Sequence, residues 1–291
     1  MSTKIGDQKT SMVSTIRLRL KYSILGRLAM LPYRARMVAR EQWIRLTRGV
    51  RWLFTSREWT NFTYNYSAIG EKNAVFVASL LTGSSVDAMN GYMSELRQDS
   101  SLQDCYRQRR ISSKLASVMD PELKFGRQIL YYLIARALKP KLVVEAGTDK
   151  GLGAMAIGAA LKKNAQEGSP GRLVTIDRQC DRGQLVDQDL ASIVTFVHGD
   201  SIELLSQLGG EIDFFIHDTT SAEKHMADQF AVVAPKLSDS AVVVSTWFNE
   251  AFVDFCHKNE LPGFMFAEEP QDHWYRGGRL GVASFRLSTK P

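Results

Sequence analysis

Hydrophobic and polar positions follow two different rhythms along this chain, and the change between them divides it. From residue 140 onward, short apolar runs alternate with longer segments whose apolar residues recur at three- and four-residue steps. The runs 142–145, 172–177, 193–198, 212–218, 241–246, 264–267 and 280–285 predict seven strands, and 154–161, 201–208, 222–237 and 250–258 predict helices. Regular alternation of this kind predicts a doubly wound α/β sheet with helices on both faces. Upstream the rhythm is helical only. Val13, Ile16, Leu20, Ile24 and Leu28 predict an amphipathic helix over 11–30 that ends at Pro32, and 34–54 predicts a second. Shorter helices are expected over 73–81, 85–97 and 102–109, so the first ~120 residues read as all-helical, and 123–138 leads into the first strand. Three regions result: 1–57, a basic amphipathic helical segment; 58–120, a helical cap or linker; and 121–291, the α/β domain.

Charge sharpens that division. The chain of 291 residues has a net charge of +6. Residues 1–57 hold thirteen Lys and Arg against Asp7 and Glu41, a surplus of eleven, so the remainder is acidic by five. Three partners suit a basic amphipathic helix: an anionic membrane surface, nucleic acid, or a partner protein such as a second copy of this chain. The plainer alternative is that these helices cover the α/β domain and present a solvated basic face. The acidity of the remainder argues against nucleic acid. Cys105, Cys180 and Cys256 are too few and too widely spaced for a disulfide framework or a zinc motif, which fits a reduced, cytoplasmic setting. Arg17, Arg19, Lys21 and Arg27 interrupt any signal-peptide core, and no stretch reaches the ~20 apolar residues of a membrane span. The expectation is a soluble or at most membrane-peripheral protein.

The chemistry is concentrated where the first strand ends. Leu142 to Glu145 closes on an acid, and Gly147, Gly151 and Gly153 follow before a small-residue helix. Glycines there let a ligand approach the backbone, and the acid can face a cationic or hydroxyl-bearing group, which points to a nucleotide-like cofactor. A dinucleotide fingerprint would set G-x-G-x-x-G directly after the strand. Here the G-x-G element, Gly151-Leu152-Gly153, comes five residues late. Asp177 closes the second strand, where a carboxylate can accept hydrogen bonds from both ribose hydroxyls of an adenosine. Asp200 follows the third strand, with helix N-cap as its alternative role.

Read from the acid, the pattern is E-x-G-x-x-x-G-x-G. Over about residues 120–291 the chain resembles the class I S-adenosylmethionine (SAM)-dependent methyltransferases, in their small-molecule O-methyltransferase-like branch. Residues 268–275, Glu-Glu-Pro-x-x-His-Trp-Tyr, also resemble a tail shared by a bacterial group of these enzymes. The resemblance implies a Rossmann-like, seven-stranded methyltransferase sheet with an N-terminal helical extension, SAM as cofactor and a small-molecule acceptor. It places the cofactor at Glu145, Gly147, Thr148, Asp149, Gly151, Asp177, Asp200 and Ser201, with Asp200 on the adenine amino group. The catechol-type members of the branch hold magnesium with an acid after strand four and a pair, Asp-Asp or Asp-Asn, after strand five. This chain keeps Asp218 but has Ser245-Thr246-Trp247 where the pair would stand, so no metal is expected.

Transfer to a hydroxyl or ammonium then needs a base, and bases are expected beyond the carboxyl ends of strands four and five. His217, Asp218 and His273 are the catalytic candidates. A neutral imidazole can take a proton near pH 7, while a lone histidine is more often structural. The cluster Trp59, Asn61 and Tyr64, together with His225, Trp274 and Tyr275, is expected to bind the acceptor. Two other classes remain open: an NAD(P)-dependent oxidoreductase, and a non-catalytic SAM-binding or scaffold protein. Homo-oligomerisation through the N-terminal helices is a further expectation.

Overall fold

In the computed structural model, which describes residues 28–114, 116–180 and 182–287, the apolar runs pair into one seven-stranded sheet. Residues 11–27 of the expected first helix lie outside the described residues. The chain divides into two compact units after Thr55. In the first, a turn at Met30 precedes helix α1, Leu31–Thr55. Pro32 therefore opens this helix, one turn earlier than the expected start. Proline is tolerated in a first turn because its missing N–H would have had no partner there.

The second unit begins at Ser56. Its strands are β1 Leu142–Ala146, β2 Arg172–Asp177, β3 Val194–His198, β4 Ile212–His217, β5 Leu237–Ser245, β6 Gly263–Ala267 and β7 Arg279–Ser284. Their order is β3-β2-β1-β4-β5-β7-β6, with β1 to β5 parallel and β7 antiparallel between β5 and β6. This is the Rossmann-like methyltransferase arrangement. β1 is buried along its whole length, Glu145 included, as a parallel strand covered on both faces should be.

The helices are α2 Ala68–Thr82, α3 Val86–Gln98, α4 Ser100–Ser112, α5 Gln128–Leu138, α6 Leu152–Gln166, α7 Ser201–Gln207, α8 Glu223–Val233 and α9 Glu250–Lys258. Alternate residues of each strand point to opposite faces. Val143, Phe214 and Val242 meet Leu130, Ile134 and Met155 in one core, whereas Val144, Phe215 and Val243 meet Phe230, Phe252 and Phe255 in the other. The buried Arg136 of α5 ties the first layer together, pairing with Glu95 of α3 at 2.8 Å and Glu167 beyond α6 at 2.5 Å.

Three expectations need correction. β5 begins at Leu237 because α8 stops at Val233 and gives way to a 3-10 turn that contains Pro235. α5 begins at Gln128, five residues late, because Gly126 has φ +49 and a Cβ there would sit 2.8 Å from the Tyr64 ring. The first ~120 residues are not all helical. Residues 56–67 form no helix, and Tyr66 bridges to Pro270. Backbone bonds from Ser67 to Glu269 (2.8 Å) and from Gln271 to Asn65 (2.8 Å) fasten this segment to the tail motif.

Candidate active site

β1 ends in a loop that only glycine permits. Gly147 has φ +103, and a Cβ there would lie 2.0 Å from the Asp218 carbonyl oxygen. A Cβ at Gly153 would lie 2.1 Å from Glu145 Oε1. Glu145 is buried beneath the loop, where Thr175 Oγ1 donates to its Oε2 at 2.6 Å. Burial, and then the nearby carboxylates of Asp218 and Asp177, push its acid up to about 8 against the opposing Thr175 bond.

Asp177 holds the loop from the next strand. Its Oδ2 accepts from the N–H groups of Thr148 (3.1 Å) and Asp149 (3.0 Å), and its Oδ1 from Gln179 (2.9 Å). A carboxylate offers about four acceptor positions, so one remains on Oδ1. Asp200 caps α7. Ile202 N–H (2.9 Å) and Glu203 N–H (3.3 Å) reach its Oδ1, and Arg178 reaches its Oδ2 at 2.7 Å.

Two cavities adjoin at the carboxyl ends of the parallel strands and share Gly147, Asp149 and Asp218. The first, about 300 Å³, lies between Glu145 and Lys150 on one side and Asn61, Tyr64 and Arg127 on the other. The second, about 340 Å³, is lined by Asp177, Gly199, Ser201, Thr219 and His225. Thr219 Oγ1, buried there, has no partner among the described residues. A buried hydroxyl of this kind beside a cavity is a contact in waiting for a polar ligand.

One wall of the first cavity is a network centred on Glu268, which is buried. Its Oε1 accepts from the hydroxyls of Tyr64 (2.5 Å) and Tyr66 (2.9 Å), and its Oε2 from Gly278 N–H (2.8 Å). Arg127 reaches Glu268 Oε2 and the Tyr275 hydroxyl at 3.4 Å each, and its other nitrogen stands 3.6 Å from Asp218 Oδ1. Asp218 keeps 30% of its side chain open to the cavity. The enclosing protein removes bulk water and raises its pKa, which Arg127 and Thr246 partly counter.

The histidines do not meet at this site. His217 is buried on the other side of the sheet, its Nδ1 against Gln229 and its Nε2 3.2 Å from the Thr220 carbonyl, with Phe230 beside the ring. His273 accepts from Tyr275 N–H at 3.0 Å through Nδ1 and packs beside Tyr64. Burial lowers both pKa values, to about 4 for His273. Neither ring lines either of these two cavities, whereas Asp218 lines both. Asn61 and Tyr64 line the first cavity, and Tyr275 reaches it through Arg127. His225 and Ser201 face the second, where Gln229 donates to Ser201 Oγ at 2.7 Å. Trp59 and Trp274 are exposed and line neither.

Arg127, Gln128 and Lys150 are cavity residues beyond the sequence-derived set. A signal for the first two existed. A helix that leads into β1 must start at the opposite end of the sheet, where the strands' carboxyl ends lie. Lys150 sits over the Phe62 ring at 4.1 Å, a pairing that joins residues 88 positions apart and leaves no trace in local pattern.

Residues 144–245 match a family model described as a methyltransferase domain. No curated protein matches the sequence. Among solved structures, an O-methyltransferase from Bacillus cereus in complex with S-adenosylhomocysteine (SAH) is 14% identical, with 64% of this chain and 91% of that one covered and a TM-score of 0.46. The O-methyltransferase TomG from Streptomyces achromogenes, involved in tomaymycin synthesis and solved with SAM, is 17% identical over 64% and 90%, TM-score 0.44. A methyltransferase from Geobacter sulfurreducens is 21% identical over 63% and 88%, TM-score 0.41.

Proposed function

We propose that this chain, which carries a methyltransferase domain, is a SAM-dependent enzyme that methylates an oxygen or nitrogen of a small molecule with Asp218 as general base. The observation that carries this reading is the junction of two cavities at Gly147, Asp149 and Asp218, with the buried Glu145 beneath the loop. S-adenosylmethionine is the cofactor, and it supplies a methyl group already activated on a sulfonium.

The residues fit that group. Glu145 answers an ammonium, the glycine loop admits a ligand against the backbone, and Asp177 retains one acceptor position for a ribose hydroxyl. Gly199, Ser201 and the unpartnered Thr219 hydroxyl supply the adenosine side, and Asp200 holds that edge in place as a cap.

Asn61, Tyr64 and Arg127 orient the acceptor in the first cavity, close to Asp218. There Asp218 takes the acceptor's proton as the new bond forms, and Arg127 steadies the carboxylate beforehand. The magnesium site of catechol-type relatives does not fit these residues. Ser245 Oγ donates to the Trp247 carbonyl (2.9 Å) and Thr246 Oγ1 to the His217 carbonyl (3.3 Å), which leaves Asp218 alone where three oxygen ligands would converge.

Incubation with methyl-labelled SAM and a pool of small metabolites tests the proposal. Label is expected in low-mass product, undiminished by a metal chelator. Asp218→Asn is expected to bind SAM normally yet lose at least ~100-fold in transfer, the scale of general-base catalysis. Loss of transfer on chelation, or full transfer by Asp218→Asn, would overturn it.

A further inference from the structure

α1 carries chemistry that the methyltransferase reading does not use. At 100° per residue, an arc of about 140° of this helix holds Leu31, Val38, Leu46, Val50, Leu53 and Trp43 and no charged residue. All seven of its charged side chains occupy the complementary arc: Glu41 and six arginines, at 34, 36, 40, 45, 48 and 51. No residue of α1 is buried, and Val38, Trp43 and Leu53 are each more than 60% exposed. An apolar stripe that wide on a 25-residue helix calls for an apolar medium or partner.

Charge selects among occupants. Glu41 pairs with Arg45 at 2.9 Å, and the helix still has five more basic than acidic residues. Residues 1–27 add Lys4, Lys9, Arg17, Arg19, Lys21 and Arg27 against Asp7, the same sign again. A second copy docked through the apolar arc would cover that arc but leave the arginines, which lie on the opposite arc, turned outward and unanswered. A nucleic acid would answer the arginines but not the leucine, valine and tryptophan face. An anionic lipid surface answers both, because the acyl boundary accepts the apolar arc while headgroups face the arginines. Among the described residues no helix is long and apolar enough to cross a membrane, so α1 would lie along the surface, about 37 Å of it.

We propose that α1 is a peripheral anchor that docks this enzyme on anionic membrane surfaces, apolar arc inward. Each arginine near such a surface adds roughly fivefold to partitioning, weakened by salt. The proposal is independent of the acceptor's identity and of the cofactor.

The test is flotation of the full chain with vesicles of phosphatidylcholine alone or mixed equally with phosphatidylglycerol. Flotation with the mixed vesicles at low salt is expected, with at least tenfold less on phosphatidylcholine. Trp43→Glu/Leu53→Glu should lose at least tenfold, and Arg45→Gln/Arg48→Gln several-fold, each with unchanged helix content by circular dichroism. The account is overturned by equal flotation on both vesicle types, by unchanged flotation of the first variant, or by its conversion of a stable dimer to monomer with no change in flotation. Stronger retention by DNA than by the mixed vesicles at matched salt would overturn it as well.

Discussion

Glu145 and Asp218 face the same loop, and both have raised pKa values because burial disfavours their charged forms, but they predict opposite kinds of experiment. An ammonium is held by the ionised Glu145, not by its acid. With that acid at about 8, SAM affinity should rise with pH from 6 toward 8, at most tenfold per unit, then level off. Calorimetric Kd values across that range check this, and Glu145→Gln should be flat; a flat profile in the unmodified protein would contradict the assignment. Asp218 must be ionised to accept a proton, so turnover should fall as pH drops through its raised pKa. His217→Ala and His273→Ala should leave that acid limb where it is, since neither ring lines the two cavities that meet at Asp218. A limb that moves with either would return the base role to a histidine. At this scale the sequence exposed the acids that end strands, because a strand's end is a position that local pattern defines. It did not expose which way a side chain turns, and His217, one residue before Asp218, faces the other side of the sheet.

The tail motif gains its meaning from a partner element. Glu268 receives two tyrosine hydroxyls and the Arg127 guanidinium, and Gly277, with φ +91, lets the chain fold back so that its own backbone passes the Glu268 carbonyl. Removing the carboxylate leaves those donors buried and unanswered. Glu268→Ala should therefore cost about 3–5 kcal/mol in denaturant unfolding, whereas Glu268→Gln, which keeps acceptors, should cost less. Equal and small losses would mean that the network carries little of the attachment between residues 59–67 and the tail. The aromatic cluster and the tail were each visible in the sequence. Their junction was not, because Tyr64 and Glu268 meet across 204 positions and the pairing rests on hydrogen bonds, which have no periodicity.

Across the molecule, the alternation of apolar runs with helical segments carried the fold. β1 to β5 each end on the cavity side, which is why glycine loop, Asp177 and Asp218 converge although 72 residues separate Ala146 from Asp218. The antiparallel insertion of β7 between β5 and β6 was not in the pattern, since a strand's direction leaves no mark on its own composition. Both cores must hold for the strand ends to keep their register. Phe252, buried among Phe230, Phe248 and Phe255, should cost about 3–5 kcal/mol when replaced by alanine. Titration of the full chain with SAH, in parallel with NADPH, tests the central claim most directly. The account predicts one saturable SAH site, weakened at least tenfold by Asp177→Ala, and no heat with NADPH. Saturable NADPH binding with none for SAH would contradict it.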